Sequence, residues 1–279
     1  MKVFLIGSPK GGVGKTFIAA NLAFAMAQKA VHRAQGRVAL LDFDPQNSAR
    51  FHFGQASGLT EGWASRLLSG ESPDVTPIET SSGVLLLPYG RVDGRRDHDV
   101  SNLMQQRPNW LDGLLSGLAA RNVSLVLCDL PPGPSTALSL LSSRTSLSLH
   151  VLLADPASIA LLPDIESGIY PGGGTIGVIA ARHARFVLNQ VDWSFPLSER
   201  IARAAAQRLG ERLLGAICRD TAVMSAMAHG KTLMEFAPSA DATRDLFGLT
   251  DAVERLVATT SPPVAGGDDM PSFLKGFLS

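Results

Sequence analysis

Cysteine is scarce in this sequence: Cys128 and Cys218 are the two present in 279 residues, and they form no CxxC pair. That argues against a disulfide scaffold and suits a reducing cytosol. It also leaves no clustered thiolates for a metal-cluster scaffold. Net charge is lacking too, with 25 Lys+Arg against 25 Asp+Glu. Bulk electrostatics therefore points to no nucleic-acid partner, although a local basic patch is still allowed. No apolar stretch is long enough to span a bilayer. The opening MKVFLIG has a lysine followed by an apolar run. That run is too short for a signal peptide and leads into a charged glycine loop, so no signal peptide is expected. No internal repeat is visible. The chain is 45% hydrophobic, enough for a sizeable core in one large domain or two small ones.

Short apolar runs alternate with helical patterns. Lys2–Gly7, Arg37–Asp42, Val84–Leu87, Val123–Asp129, Leu147–Ala154 and Arg185–Asn189 read as strands. Lys15–Ala30 reads as an alanine-rich helix and Leu59–Leu68 as a second. Leu111–Arg121 is the end of another, and Leu197–Leu209 and Ala240–Ala258 are also helical. Apolar strands spaced by helices predict an α/β fold: a doubly wound, mostly parallel sheet with helices on both faces. One domain is expected over residues 1–260. Tyr170–Gly177 (YPGGGTIG) is most simply a loop or hairpin, and the Pro- and Gly-rich residues 261–279 form a separate tail.

The most informative stretch is GSPKGGVGKTF, Gly7 to Phe17, which joins the first strand to the first helix. Strand, glycine loop, Gly-Lys-Thr and helix is the order a phosphate cradle needs. Glycines let backbone N–H groups turn inward, and the helix N-terminus faces the anion. Lys15 is placed to neutralise the β- and γ-phosphates and the Thr16 hydroxyl to hold Mg²⁺. The common pattern G-x-x-x-x-G-K-[ST] fails at its first position, which is Pro9. The variant K-G-G-x-G-K-[ST] fits at every position of Lys10–Thr16. Two carboxylates, Asp42 and Asp44, follow the second strand, where open α/β sheets bind ligands. A third, Asp129, ends the strand VSLVLCD and precedes Leu130-Pro131-Pro132-Gly133.

Lys10-Gly11-Gly12-Val13-Gly14-Lys15-Thr16 is the mark of the ParA/MinD group of P-loop ATPases, and the sequence resembles that group over most of its length. The resemblance implies the P-loop NTPase fold of the SIMIBI class, ATP and Mg²⁺ as cofactors, and Gly11–Phe17 around the nucleotide. It implies that Lys15 serves its own ATP while Lys10 crosses a homodimer interface to the partner's nucleotide, as an arginine finger does. Asp44 would orient the attacking water, Asp42 would lie near the metal, and Asp129 would bind Mg²⁺ through water. Pro131–Gly133 resembles the second switch loop. Asn189 matches a base-contacting position. Asn21 matches a common asparagine and has either a structural or a nucleotide role. Cys128 is most simply a buried strand residue.

Gly62–Gly70 and Val84–Arg91 resemble the BcsQ-type proteins encoded with bacterial cellulose synthase. So do Leu209–Leu214, Arg219-Asp220, Ser225–Ala228, Glu235–Ser239 and Asp245-Leu246, with Thr221 where that group often has Glu. This implies a cytoplasmic ATPase, slow without a partner, that acts as a dimer near the inner-membrane synthase and helps assemble, place or regulate it. The rival is DNA partition by a ParA-like dimer. Seven arginines in the stretch Arg182 to Asp220 face four acids, an excess small enough for an ordinary solvated helix face. Asp97-His98-Asp99 reads as part of a solvated loop rather than a metal site, and His98, His150 and His229 as surface or satisfied histidines. Phe273, Leu274, Phe277 and Leu278 give the tail one apolar helical face, either a weak docking segment or a disordered end.

Overall fold

The computed structural model describes residues 1–33, 35–55, 61–170, 177 and 181–259. Among them eight strands form one sheet. These are β1 (Lys2–Gly7), β2 (Arg37–Asp42), β3 (Ile78–Glu79), β4 (Leu85–Leu87), β5 (Val123–Asp129), β6 (Leu147–Leu153), β7 (Ala184–Val191) and β8 (Leu213–Cys218). The spatial order is β3-β4-β2-β5-β1-β6-β7-β8, parallel throughout except for β3. After β1 the chain winds outward through β2, and after β5 it continues on the other side of β1 through β6. The crevice outside the C-terminal ends of these central strands is where the winding changes direction, the place where such sheets bind ligands.

The central strands are apolar on both faces, and both faces are covered. On one face lie α1 (Lys15–Arg33) and the long C-terminal α11 (Asp241–Thr259), packed on Phe4, Ile6, Leu40, Leu86 and Leu127. Alanines at positions 19, 20, 23 and 27 let α1 approach the sheet closely. The other face is covered by α2 (Trp63–Leu68), α3 (Asp97–Gln106), α4 (Pro108–Ala120) and α5 (Thr136–Leu141), with α6 (Pro156–Ala160), α7 (Leu162–Glu166) and α8 (Pro196–Leu209) further along. Two short helices, α9 (Ala222–Ala228) and α10 (Leu233–Phe236), connect β8 to α11. No helix of the described residues is long and apolar enough to cross a membrane.

The expected fold class is the observed one, and β1, β2 and β5 have the expected bounds. Several details differ. Val84–Leu87 begins one residue later, at Leu85. Asp97-His98-Asp99 lies in the first turn of α3 rather than in a loop, because acids there complement the helix dipole. The segment around Leu111–Arg121 is a whole helix that starts at Pro108, a residue suited to the first helical turn. Strand β8 was not expected. It is an edge strand, only half-buried, and its Gly-Ala centre lacks the β-branched signature. Strand β3, with two residues, is below what a sequence pattern can register. Residues 59–60 of the expected Leu59–Leu68 helix, residues 171–176 of the glycine-rich piece, and the tail 261–279 lie outside the described residues.

Leu127, fully buried between β2 and β1, tests this core. Leu127→Ala removes apolar contacts and leaves a cavity, so it should destabilise the protein by about 2–5 kcal/mol in a urea titration. A change below half a kcal/mol would mean that the sheet is not packed on both faces.

Candidate functional site: a phosphate loop above three carboxylates

The loop from Ser8 to Gly14 leaves β1 and enters α1 with Gly12 and Gly14 at positive φ, 74° and 82°. Gly14 is also a point of close approach: a Cβ there would strike the Asn189 amide. Asn189 is 3% exposed and donates through Nδ2 to the Val13 carbonyl at 2.8 Å. It therefore braces the loop from β7. The base contact expected of it would have to come from its remaining amide groups. Ser8 is held from two sides: its carbonyl accepts from Tyr170 Oη at 2.6 Å and from Gly133 N–H at 2.8 Å. The second of these ties the phosphate loop directly to the Pro131–Gly133 loop. Gly11 and Gly12 are exposed, whereas Val13 and Phe17 are buried and anchor the loop in the core.

Beneath the loop the site is strongly charged. Lys15 Nζ lies 2.5 Å from Asp129 Oδ1, 3.4 Å from Asp44 Oδ2 and 3.5 Å from Thr16 Oγ1. Asp42 and Asp129 end neighbouring parallel strands in register, so the three carboxylates gather around one ammonium group. Burial would lower the Lys15 pKa, but Asp129 and, behind it, Asp44 and Asp42 hold it above the ordinary value. Burial, then repulsion from Asp129, pushes Asp42 well above the usual carboxylate range. Burial also raises Asp129, with Lys15 opposing the shift.

An excess of buried negative charge of this kind suits a divalent cation. Thr16 Oγ1 and Asp129 Oδ2 are oxygen donors of the right kind, and Asp129 Oδ2 is buried without any hydrogen-bond partner. Asp42 is more committed, since its two oxygens accept from Asp44 N–H at 2.9 Å and Ala49 N–H at 3.1 Å. Among the described residues no group of three or more His, Cys, Asp or Glu forms a metal cage of its own.

A cleft of about 290 Å³ runs over the loop, Asp44, Gln46, His52 and Pro132. A second, of about 260 Å³, continues past Gly14, Phe17, Asn189, Gln190, Arg219 and Met224. They share Gly14, Phe17, Gln190 and Val223, so together they form one elongated site with a phosphate end and an apolar end. A larger cavity of about 650 Å³ lies at the opposite, N-terminal end of the strands and contains none of these groups.

Lys10 stands apart from this cluster. Its ammonium pairs with Asp155 at 2.8 and 3.1 Å, and Asp155 also caps α6 by accepting from Ser158 N–H. Burial opposes ionisation of Asp155, but the bonds from Lys10 and Ser158 prevail and lower its pKa. Sequence reasoning missed Asp155, although an Asp before a Pro at a helix start is a readable cap. It also missed Gln190, a non-glycine residue at φ 54° between the two clefts. Asn21 is fully buried and makes two structural bonds: Nδ2 donates to the Phe17 carbonyl at 2.9 Å and Oδ1 accepts from Met234 N–H at 3.1 Å. Cys128 is a buried strand residue whose thiol pKa is pushed up, first by burial. His98 and His229 are exposed, but His150 is buried, bonded at Nε2 to Ser148 at 3.1 Å and unpartnered at Nδ1. Of the basic stretch, Arg203 pairs with Glu199, and Arg208 and Arg212 both pair with Glu166.

A parallel sheet wound in this order, a K-G-G-x-G-K-T loop at its switch point and acids at the neighbouring strand ends define a P-loop ATPase of the ParA/MinD type. Within that class, the model of the family described as "Cellulose biosynthesis protein BcsQ" matches residues 1–252, and the chain belongs to that family. A ParA family protein of Chlamydia trachomatis is 30% identical over 266 residues, 90% of this chain and 96% of the relative. An iron-sulfur cluster carrier protein of Deinococcus radiodurans is 28% identical over 231 residues. That match covers 79% of this chain but only 60% of the carrier's length. Among solved structures, the septum site-determining protein MinD of Pyrococcus horikoshii, complexed with Mg-ADP, has a TM-score of 0.68 at 20% identity. That likeness covers 91% of this chain and 96% of the MinD chain, and shows the shared fold.

Two predictions follow from this geometry. Asn21→Ala leaves the buried Met234 N–H unpaired and should cost about 1–3 kcal/mol of stability in urea unfolding, with unchanged nucleotide affinity. A loss of affinity would give Asn21 a nucleotide role. Burial also lowers the pKa of His52 and of His150 to about 4. As pH falls from 6.5 toward 4 the unfolded chain takes up protons that the folded protein refuses, so stability is lost over that window. The loss amounts to roughly 3 kcal/mol per histidine. Urea titrations at pH 7, 5.5 and 4.5 should show it, and replacing both histidines with Gln should flatten the slope.

Proposed function

We propose that this chain is an ATP-dependent dimerising switch, an ATPase that supports assembly, placement or regulation of a bacterial cellulose synthase complex. The observation that carries the ATPase reading is the position of Lys15: under the phosphate loop, on Asp129 and Asp44. Its ammonium is buried among carboxylates that hold it charged, and it is within a side chain's swing of the cleft. A triphosphate in that cleft offers Lys15 a stronger counter-charge than the acids do. Once Lys15 turns to the phosphates, Asp44 is released to accept a hydrogen bond from the attacking water. Thr16, and Asp129 through water, with Asp42 behind them, would hold Mg²⁺, which would supply charge neutralisation.

Lys10 serves the partner's nucleotide in a sandwich homodimer, which it can do only by leaving Asp155. A stabilising cation that arrives from the second subunit makes ATP part of the interface and makes hydrolysis its release. Turnover is slow until a partner completes the site. Asn189 and the apolar cleft beyond Gly14 take the base. The cellulose assignment rests on the family and on nothing in the site's chemistry. With it we propose a cytoplasmic protein recruited to the inner membrane by proteins associated with the synthase. The tail beyond residue 260 is proposed as a docking segment for that recruitment. The DNA-partition reading is weaker here because Arg203, Arg208 and Arg212 are engaged with Glu199 and Glu166.

Solution mass measured by light scattering tests the switch. Lys15→Ala should abolish ATP binding. Asp44→Ala should bind ATP·Mg²⁺, hydrolyse it at least about a hundredfold more slowly, and persist as a dimer. Adding Lys10→Ala should return that dimer to monomer. Hydrolysis by Asp44→Ala at the parent rate removes the role assigned to Asp44, and a monomer throughout removes the interface role of Lys10. Strong salt-dependent DNA binding would favour partition instead.

A further inference from the structure

The reaction as described leaves one tightly constrained residue unused. Trp63 opens α2 and is 1% exposed, with its indole beneath the loop that carries Asp44. Its ring centroid lies 4.9 Å from that of Phe43 and 5.1 Å, edge-on, from that of Tyr89. Its Nε1–H donates to the backbone carbonyl of Asp42 at 2.7 Å. The same peptide unit continues to Phe43, whose N–H donates to the Asp129 carbonyl at 2.8 Å. The Asp42–Phe43 peptide, the first of the two that lie between the acids, is thus gripped at both of its polar groups, by β5 on one side and by an indole on the other.

A peptide is planar, so fixing the directions of its C=O and N–H fixes the direction in which the chain leaves it. The chain leaves at the Phe43 Cα, and one further peptide leads to Asp44. Its own N–H donates to Asp42 Oδ1, and its Oδ1 accepts from Gln46 N–H at 3.0 Å. The orientation set at the Asp42–Phe43 peptide is therefore carried to the Asp44 carboxylate with little slack. The indole is fixed in turn. Trp63 N–H donates to the Pro88 carbonyl at 3.2 Å and Ala64 N–H to the Tyr89 carbonyl at 3.1 Å. The backbones of Gly62 and Gly90 meet so closely that a Cβ on either would strike the other.

Any buried indole needs an acceptor, and a bond that merely satisfied Trp63 could end on any carbonyl. Trp110 shows that alternative in the same cluster. Its ring is 6.1 Å from Trp63, and its N–H donates to the Glu71 carbonyl, away from the site. Trp63 instead ends on the peptide between the metal-side and water-side acids.

We infer that Trp63 is a positioning residue for phosphoryl transfer: its N–H aims the Asp42–Phe43 peptide so that Asp44 faces the attacking water. The inference rests on the role proposed for Asp44. It is tested on the full chain by single-turnover hydrolysis of γ-labelled ATP, with ATP affinity measured in parallel by titration. Trp63→Phe keeps an aromatic ring and deletes the donor. It should slow hydrolysis about tenfold or more while affinity changes less than about twofold. Trp110→Phe should leave both unchanged. On the Asp44→Asn background, where the carboxylate to be aimed is gone, Trp63→Phe should add nothing to the residual rate. Should Trp63→Phe fail to fold, benzothienylalanine at position 63, which keeps the indole's shape without its N–H, carries the same expectation. Parent-rate hydrolysis by either folded variant overturns the inference, and so does an equal further loss on the Asp44→Asn background. A parent protein that neither binds nor hydrolyses ATP overturns the ATPase reading itself, a result distinct from both.

Discussion

Everything around the site depends on one buried charge, the Lys15 ammonium, and on the acids that surround it. An isolated charge at this depth would be untenable; paired with Asp129 and Asp44 it is held in place and kept protonated. The pairing is incomplete by design of the chemistry, since three carboxylates meet one cation. Burial, and behind it repulsion among the acids, raises the pKa values of Asp42 and Asp129, and one Asp129 oxygen is left without a partner. In the proposed function, a cation and a phosphate entering together would answer that surplus charge.

The rest of the fold gives this cluster fixed walls. The phosphate loop is tied to β7 by Asn189, to the Pro131–Gly133 loop by Gly133, and to the α7 side of the molecule by Tyr170. The Asp44 loop is tied to β5 and to Trp63. Each tie ends on a backbone carbonyl rather than on a side chain, so it sets the path of the chain and not merely a contact. Short, directional bonds thus join the phosphate loop to β7 and to the loop after β5, on either side of β1. Such connections suit a switch, in which a small displacement at the ligand has to alter a surface some way off.

Much of the fold was legible because its signals are local. β1, β2 and β5 are apolar runs bounded by charged residues or glycine, and α1 carries the alanine pattern of a helix pressed on a sheet. What escaped reading lacked a local signal. β8 is a half-buried edge strand with Gly215 and Ala216 at its centre, and α3 begins in a cluster of charged residues that looks like a loop. In the site, Lys15 lies within 3.5 Å of Thr16, Asp44 and Asp129. Asn21 is a brace between α1 and Met234, a role visible only once residues 213 positions apart in the chain are brought together. The pairing of Lys10 with Asp155, across 145 positions, could not be read for the same reason.

The sequence by itself determined the chemistry: a glycine loop with two lysines, acids at strand ends, and apolar strands that can lie only inside a covered parallel sheet. These follow from side-chain type and short-range spacing, because backbone geometry and helix termini act over a few residues. Only the tertiary structure decided which groups share the buried charge, which amide holds the loop, and which indole grips the Asp42–Phe43 peptide. Those choices depend on the register between distant strands and on how closely two glycines allow their backbones to pass, and neither is encoded in any one stretch of the chain.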